Sequence, residues 1–159
     1  KQIISILTAI SNLNYTTIAI CPNSDAGNKK IFKQLQKFSN NFSFIHLFSS
    51  IPRDDYLGML KNCGVLVGNS SSGMIESSYF KTPVVNIGIR QEGREHGKNV
   101  IHVKKFVTSK IESAIKKSLN SNHKKISKIY GNGTSTMKII KVLENISLNE
   151  KLLQKQISY

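Results

Sequence analysis

The sequence predicts an α/β domain, a Rossmann-like three-layer arrangement with a mostly parallel sheet. Two observations carry this. Apolar runs of four to six residues alternate with longer stretches of helical spacing, as strands joined by crossover helices require. Two runs, Val65 to Val67 and Val84 to Ile87, are nearly continuous in apolar residues, as strands covered on both faces are. With 159 residues, 39% hydrophobic, the chain has the size and composition of one domain over residues 1–159.

Taken in order, Ile3, Ile6, Leu7 and Ile10 fall on one helix face, and Thr16 to Cys21 reads as a strand stopped by Pro22. Ile31, Leu35 and Phe38 mark a second helix, followed by a strand near Phe42 to Phe48. After Pro52 a short helix from about Arg53 to Lys61 carries Asp54 and Asp55 in its first turn, where the helix dipole favours negative charge. The strand at Val65 to Val67 runs into GNSSSG (Gly68 to Gly73), and Met74 to Phe80 has helical spacing. Lys81 to Pro83 breaks that helix and Val84 to Ile87 is the next strand. The loop Gly88 to Asn99 leads to a strand at Val100 to Val103. Helices are expected at about Ser109 to Leu119 and, after a turn at Tyr130 to Gly133, at Thr134 to Ile146, with fraying beyond Leu148.

Composition excludes several classes. No apolar run approaches the ~20 residues that cross a bilayer, and the first residues lack a signal pattern, so no membrane partner and a cytoplasmic location are expected. Cys21 and Cys63 follow no metal-ligand spacing and are read as reduced thiols; no metal and no cofactor is expected. The chain starts at Lys1 without methionine, in what reads as the middle of a helix, and is therefore expected to be a fragment of something longer. Net charge is +14, distributed as +5 over residues 1–53, zero over 54–103 and +9 over 104–159. Lys104, Lys105, Lys116, Lys117, Lys124, Lys125 and Lys128 lie in no recognised nucleic-acid module and have no aromatic residues arranged for base stacking. They are read as a solvated face whose field draws anionic ligands, and no nucleic acid is expected.

Strand, GNSSSG, helix is the pattern that carries chemistry. It places small residues and backbone N–H groups at the carboxyl edge of a parallel sheet, where open α/β folds bind ligands, and Ser70, Ser71 and Ser72 add hydroxyls. That is an anion site, unless one serine merely caps the helix and the others fill the turn. Neither a Walker motif nor G-x-G-x-x-G occurs. Glu76 lies in the first turns of the following helix, where a carboxylate either answers the dipole or accepts hydrogen bonds from two ribose hydroxyls. Arg90 emerges from its strand at the same edge and suits a diphosphate. His96 reads as an exposed loop histidine, with a general acid as the alternative; His46, His102 and His123 have no partner legible in the sequence. Asn23, Ser24 and Asp25, after another strand, either cap the next helix or present an amide and a carboxylate to a sugar.

Five motifs in register, PNSDAGNK, GNSSSGMIES, TPVVNIGIRQEGRE, GKNVIHV and KIYGNG, between about Cys21 and Gly133, resemble the second half of hydrolysing UDP-N-acetylglucosamine 2-epimerases, including the epimerase part of the animal bifunctional enzyme. Non-hydrolysing epimerases carry a DSGG-type turn where this chain has GNSSSG. The resemblance implies the C-terminal, nucleotide-binding half of a two-domain GT-B-type fold, with a UDP-sugar and UDP as ligands and a homo-oligomer as the full-length assembly. It implies diphosphate binding by Ser70 and Ser71, ribose binding by Glu76, and uracil binding by the backbone from Ser50 through Ile51 to Pro52. Arg90 would line the diphosphate and sugar, with Asn23 and Asp25 near the sugar. No catalytic acid or base is expected within this stretch: in the family those carboxylates lie in the first half, and a histidine lies just ahead of the region matching Lys1. A domain that binds UDP without turnover of its own follows. The alternatives are a relative acting on a UDP-diacetamido-trideoxyhexose, a glycosyltransferase of the same fold, and a basic nucleic-acid-binding module.

Overall fold

The computed structural model describes residues 2–22, 27–121 and 129–153, without the side chains of residues 151 and 153. It divides into two compact units, Lys1–Ile129 and Tyr130–Tyr159. The first holds helix α1 (Gln2–Leu13), strand β1 (Thr17–Ile20), α2 (Asn28–Asn41), β2 (Ile45–Phe48), α3 (Arg53–Asn62), β3 (Leu66–Gly68), a 3₁₀ turn (Ser71–Gly73), α4 (Glu76–Phe80), β4 (Val84–Ile87), β5 (Val100–Val103) and α5 (Thr108–Leu119). The second contains α6 (Ser135–Asn145) and α7 (Glu150–Leu153).

Every strand pair is parallel, as the crossover pattern requires. β1 pairs with β2, and β4 lies between β3 and β5. All four residues of β4 are buried, which explains why its sequence, VVNI, shows no polar alternation. Side chains of successive strand residues point to opposite faces. On one face Val85 and Ile87 join Ala9 of α1 and Ile111, Ala114 and Ile115 of α5 in the principal core. Each valine or isoleucine among them contributes roughly 1.5–3 kcal/mol on burial, and each alanine less. The other face meets the 3₁₀ turn: a Cβ on Gly73 would stand 3.1 Å from Val84 Cγ1, so the backbone approaches the strand where a side chain would crowd it. Helix, sheet and helix therefore form the three layers of a Rossmann-like α/β domain.

Three boundaries differ from expectation. The strand expected from Phe42 starts at Ile45, because Phe42 caps α2, its N–H donating to Phe38 O at 2.9 Å. The strand expected at Val65 to Val67 is shifted to Leu66–Gly68. The helix expected from Met74 begins only at Glu76, leaving the five-residue α4 split by Met74 and Ile75 from a 3₁₀ turn at Ser71–Gly73. The seryl run accounts for the split. Ser70 accepts a hydrogen bond from Ser72 N–H and starts a tight turn, which competes locally with an α-helix.

Among the described residues no helix is long and apolar enough to cross a membrane. α6 buries none of its side chains.

Candidate nucleotide-binding site

The strand register builds the site. Gly68, Asn86 and His102 stand side by side on β3, β4 and β5, one row at or next to the carboxyl ends of the three strands. Directly after Gly68 the chain turns through Asn69 and Ser70 into the 3₁₀ turn. Ser70 takes the capping part: its Oγ accepts from Ser72 N at 3.3 Å and its carbonyl from Gly73 N at 3.1 Å. Ser71 carbonyl accepts from Met74 N and Ile75 N at 2.9 and 3.0 Å. Ser72 Oγ accepts from the Tyr56 hydroxyl at 2.6 Å. Burial pushes the Tyr56 phenol up, against the opposing pull of the Ser72 hydrogen bond, so it remains a proton donor. Of the three serines, Ser70 is thus the cap of the turn. Ser70 and Ser71 are both exposed at the edge, and Ser72 is fastened to α3.

Glu76 opens α4 with its side chain 27% exposed, and its Oε1 lies 4.0 Å from Arg53 Nη2 at the start of α3. That pair is worth little energetically at such exposure. Its geometric content is larger. It brings the half-buried Ile51 turn, one residue before Pro52 and two before Arg53, to the neighbourhood of the carboxylate assigned to the ribose.

Arg90 is exposed three residues after the end of β4. Its neighbour Gln91, only 3% exposed, donates from Nε2 to Asn69 O at 2.9 Å and so ties the arginine loop to the serine turn. Ser70, Ser71, Glu76 and Arg90 are therefore carried by segments at the carboxyl edge of the β3–β4–β5 sheet, while Ile51 follows β2 of the separate β1–β2 pair and is linked to them through α3, by Tyr56 and the Arg53–Glu76 contact. Asn23 and Asp25 lie outside the described residues.

Tyr56 and Gln91, which hold the site together, were not legible in the sequence: a helix tyrosine and a loop glutamine carry no signal of their partners. Asn86 did carry one, being the single polar residue in VVNI. It is 1% exposed and donates from Nδ2 to His102 Nδ1 at 3.0 Å. His102 Nε2 meets His96 Nε2 at 3.0 Å, and His96 Nδ1 lies 3.0 Å from Gly97 O. Desolvation lowers the His102 pKa, helped by His96 and Lys104 and opposed by Glu92. Glu92 and Lys104 form an ion pair beside it, which holds the Glu92 carboxyl below its usual range.

A family profile described as UDP-N-acetylglucosamine 2-epimerase matches residues 1–144. A UDP-N,N'-diacetylbacillosamine 2-epimerase (hydrolyzing) of Legionella pneumophila is 32% identical over 158 residues, 99% of this chain and 41% of that protein. A UDP-N-acetylglucosamine 2-epimerase of Neisseria meningitidis is 33% identical over 131 residues, 80% of this chain and 34% of its own length. A GDP/UDP-N,N'-diacetylbacillosamine 2-epimerase (hydrolyzing) of Campylobacter jejuni is 37% identical over 103 residues, covering 64% and 27%. The chain spans at most about two-fifths of the length of these three relatives.

Proposed function

The chain belongs to the UDP-N-acetylglucosamine 2-epimerase family, and we propose that it is the UDP-binding half of a hydrolysing epimerase that releases UDP and N-acetylmannosamine. The observation that carries this is the approach of α3, which begins just after the turn at Ile51, to the serine turn and to the carboxylate beyond it, through the 2.6 Å Tyr56–Ser72 bond and the 4.0 Å Arg53–Glu76 contact. A uridine diphosphate presents the matching sequence of groups: a base, a ribose with two adjacent hydroxyls, and a diphosphate.

In the proposed reaction a base removes the C2 proton, UDP leaves by elimination to give a glycal-like intermediate, and water adds with inversion at C2. Ser70, Ser71 and Arg90 meet the negative charge that develops on the departing diphosphate. Glu76 accepts from the ribose hydroxyls, and the Ile51 turn receives the base. Fixing the nucleotide this far from the reacting carbon stabilises the orientation of the sugar. The proton-transferring carboxylates belong to the other half of the family architecture, and N-acetylmannosamine release places the enzyme in the synthesis of sialic-acid-type sugars.

Calorimetry with UDP tests the reading. Ser71→Ala removes a hydroxyl donor and is expected to weaken UDP by about tenfold, on the scale of 1–3 kcal/mol for a hydrogen bond to a charged group. Glu76→Ala is expected to weaken uridine as much as UDP, since it acts on the ribose. Both variants should keep the parent's circular dichroism and melting temperature within a few degrees. Unchanged UDP affinity in both variants moves the site elsewhere.

A second substrate reading has its own support: the Legionella and Campylobacter relatives are named for N,N'-diacetylbacillosamine. UDP binding is common to the two. Product analysis of the full-length enzyme with UDP-N-acetylglucosamine and with the diacetamido-trideoxyhexose nucleotide separates them.

A further inference from the structure

At the β5 end of the row that also holds Gly68 and Asn86, two histidines make a contact bent away from a straight hydrogen bond. His96 and His102 face each other through Nε2 at 3.0 Å, yet their ring centres are only 4.6 Å apart, with the planes inclined at 61°. Were both ring axes aligned along the N···N line, as a straight N–H···N bond prefers, the ring centres would stand about 5.3 Å apart. The axes are bent instead. Two imidazole nitrogens bound to one metal at 2.0–2.1 Å in adjacent positions, at about 90°, stand about 3 Å apart, which is the Nε2–Nε2 separation found here.

The other ring nitrogens are anchored as well. His96 Nδ1 has the Gly97 carbonyl at 3.0 Å, an acceptor only, so the proton of that neutral ring is on Nδ1 and the Nε2 lone pair is free to ligate. His102 Nδ1 has the Asn86 side-chain amide at 3.0 Å, and among the described residues that amide's Oδ1 is buried with no hydrogen-bond partner. A half-turn of the amide presents Oδ1 to Nδ1–H and frees the second Nε2 lone pair. An imidazole donating its far N–H to a carbonyl or amide oxygen is the usual outer shell of a metal-bound histidine.

We propose that His96 and His102 chelate a divalent transition metal of the zinc or nickel type, oriented by Gly97 O and Asn86. At neutral pH the exchange is balanced in protons: the one on His102 Nε2 moves to Nδ1, and none is released. Lys104 is the cation beside the pair, and its charge is answered by Glu92. Among the described residues no third His, Cys, Asp or Glu completes the set, so the remaining positions are open to water. The softness of imidazole selects zinc, nickel or copper over magnesium and calcium. The site is independent of the UDP assignment.

The test is calorimetric titration of the full-length protein with Zn²⁺ or Ni²⁺ alone, in phosphate-free buffer, alongside Co²⁺ absorption spectra. One site is expected whose affinity falls by about tenfold or more in His96→Ala and in His102→Ala, and by about tenfold in Asn86→Ala. His46→Ala and His123→Ala should leave it unchanged. His96→Cys restores a ligand at a half-buried loop position, where the sequence suggested an exposed one, and should retain Zn²⁺ with a thiolate–cobalt absorption band. No binding at millimolar metal, or equal affinity in the parent and His96→Ala, overturns the proposal. Mg²⁺ competing on equal terms with Zn²⁺ overturns it too, because imidazole nitrogen would then not be the ligand.

Discussion

Gly88 is the residue on which the position of Arg90 depends most directly. It follows β4 with φ +85, and a Cβ there would stand 3.1 Å from Phe106 Cζ. Glycine is required twice, for the left-handed backbone and for the close approach of the ring. Gly88→Ala is expected to cost about 1–3 kcal/mol, read as a lower urea midpoint with an unchanged slope. Pairing it with Phe106→Leu should recover the steric part and leave the backbone part. Because Gln91 and its bond to Asn69 lie just downstream, UDP affinity should fall along with stability. A Gly88→Ala protein as stable as the parent would mean that the loop leaves the sheet at another angle.

Among the elements, α4 is the one whose existence needs explaining. Five residues are far too few for a helix to hold itself, since nucleation is unfavourable and tertiary contacts must supply the stability. Asn99 supplies them. Its Nδ2 donates to Ser77 Oγ at 3.0 Å and to Thr82 O at 2.7 Å, while Ser77 Oγ donates to Gly73 O at 2.6 Å. Thr82 Oγ1 in turn donates to Leu60 O at 2.6 Å, linking the end of α4 to α3. Asn99→Ala strands buried acceptors and is expected to cost about 1–3 kcal/mol. Hydrogen exchange should speed up at α4 and the serine turn before α5. Uniform protection across the domain would assign Asn99 a role confined to its own loop.

The same element marks where reading the sequence stopped. Periods of two and three to four residues disclosed β1 to β5 and α1, α2, α3 and α5, because burial imposes those periods directly; α6 shows the helical period although it buries none of its side chains. The carboxyl edge was legible too, since a strand followed by small residues has few other structural meanings. The split at Ser71–Gly73 was not, because Met74 to Phe80 satisfies helical spacing whether or not the turn before it is tight. Nor was the cross-linking by Tyr56, Gln91 and Asn99, whose partners are respectively 16, 22 and 22 residues away in the chain for the bonds to Ser72, Asn69 and Ser77. Polar pairs at such separation leave no periodic trace. Asn86 interrupts an otherwise apolar run, but its bond to His102, and that of His102 to His96, leave no trace in the sequence.

On the scale of the whole molecule, the +14 charge and the candidate site are segregated along the sequence: residues 54–103, which carry Ser70, Ser71, Glu76 and Arg90, sum to zero. On the proposed UDP reading, the excess cation acts through the solvent field. Lys116 and Lys117, in the last turn of α5, are suited to show this, since α5 lies against the face of β4 opposite the 3₁₀ turn. Replacing both by glutamate should lower the UDP association rate by roughly twofold to tenfold at low ionic strength, with dissociation unchanged. The difference should vanish near 1 M salt, where the screening length shrinks to about 3 Å. Stopped-flow binding at several salt concentrations reads both rates. A change confined to dissociation, and indifferent to salt, would instead place those lysines in contact with the nucleotide and require the ligand to reach around the sheet.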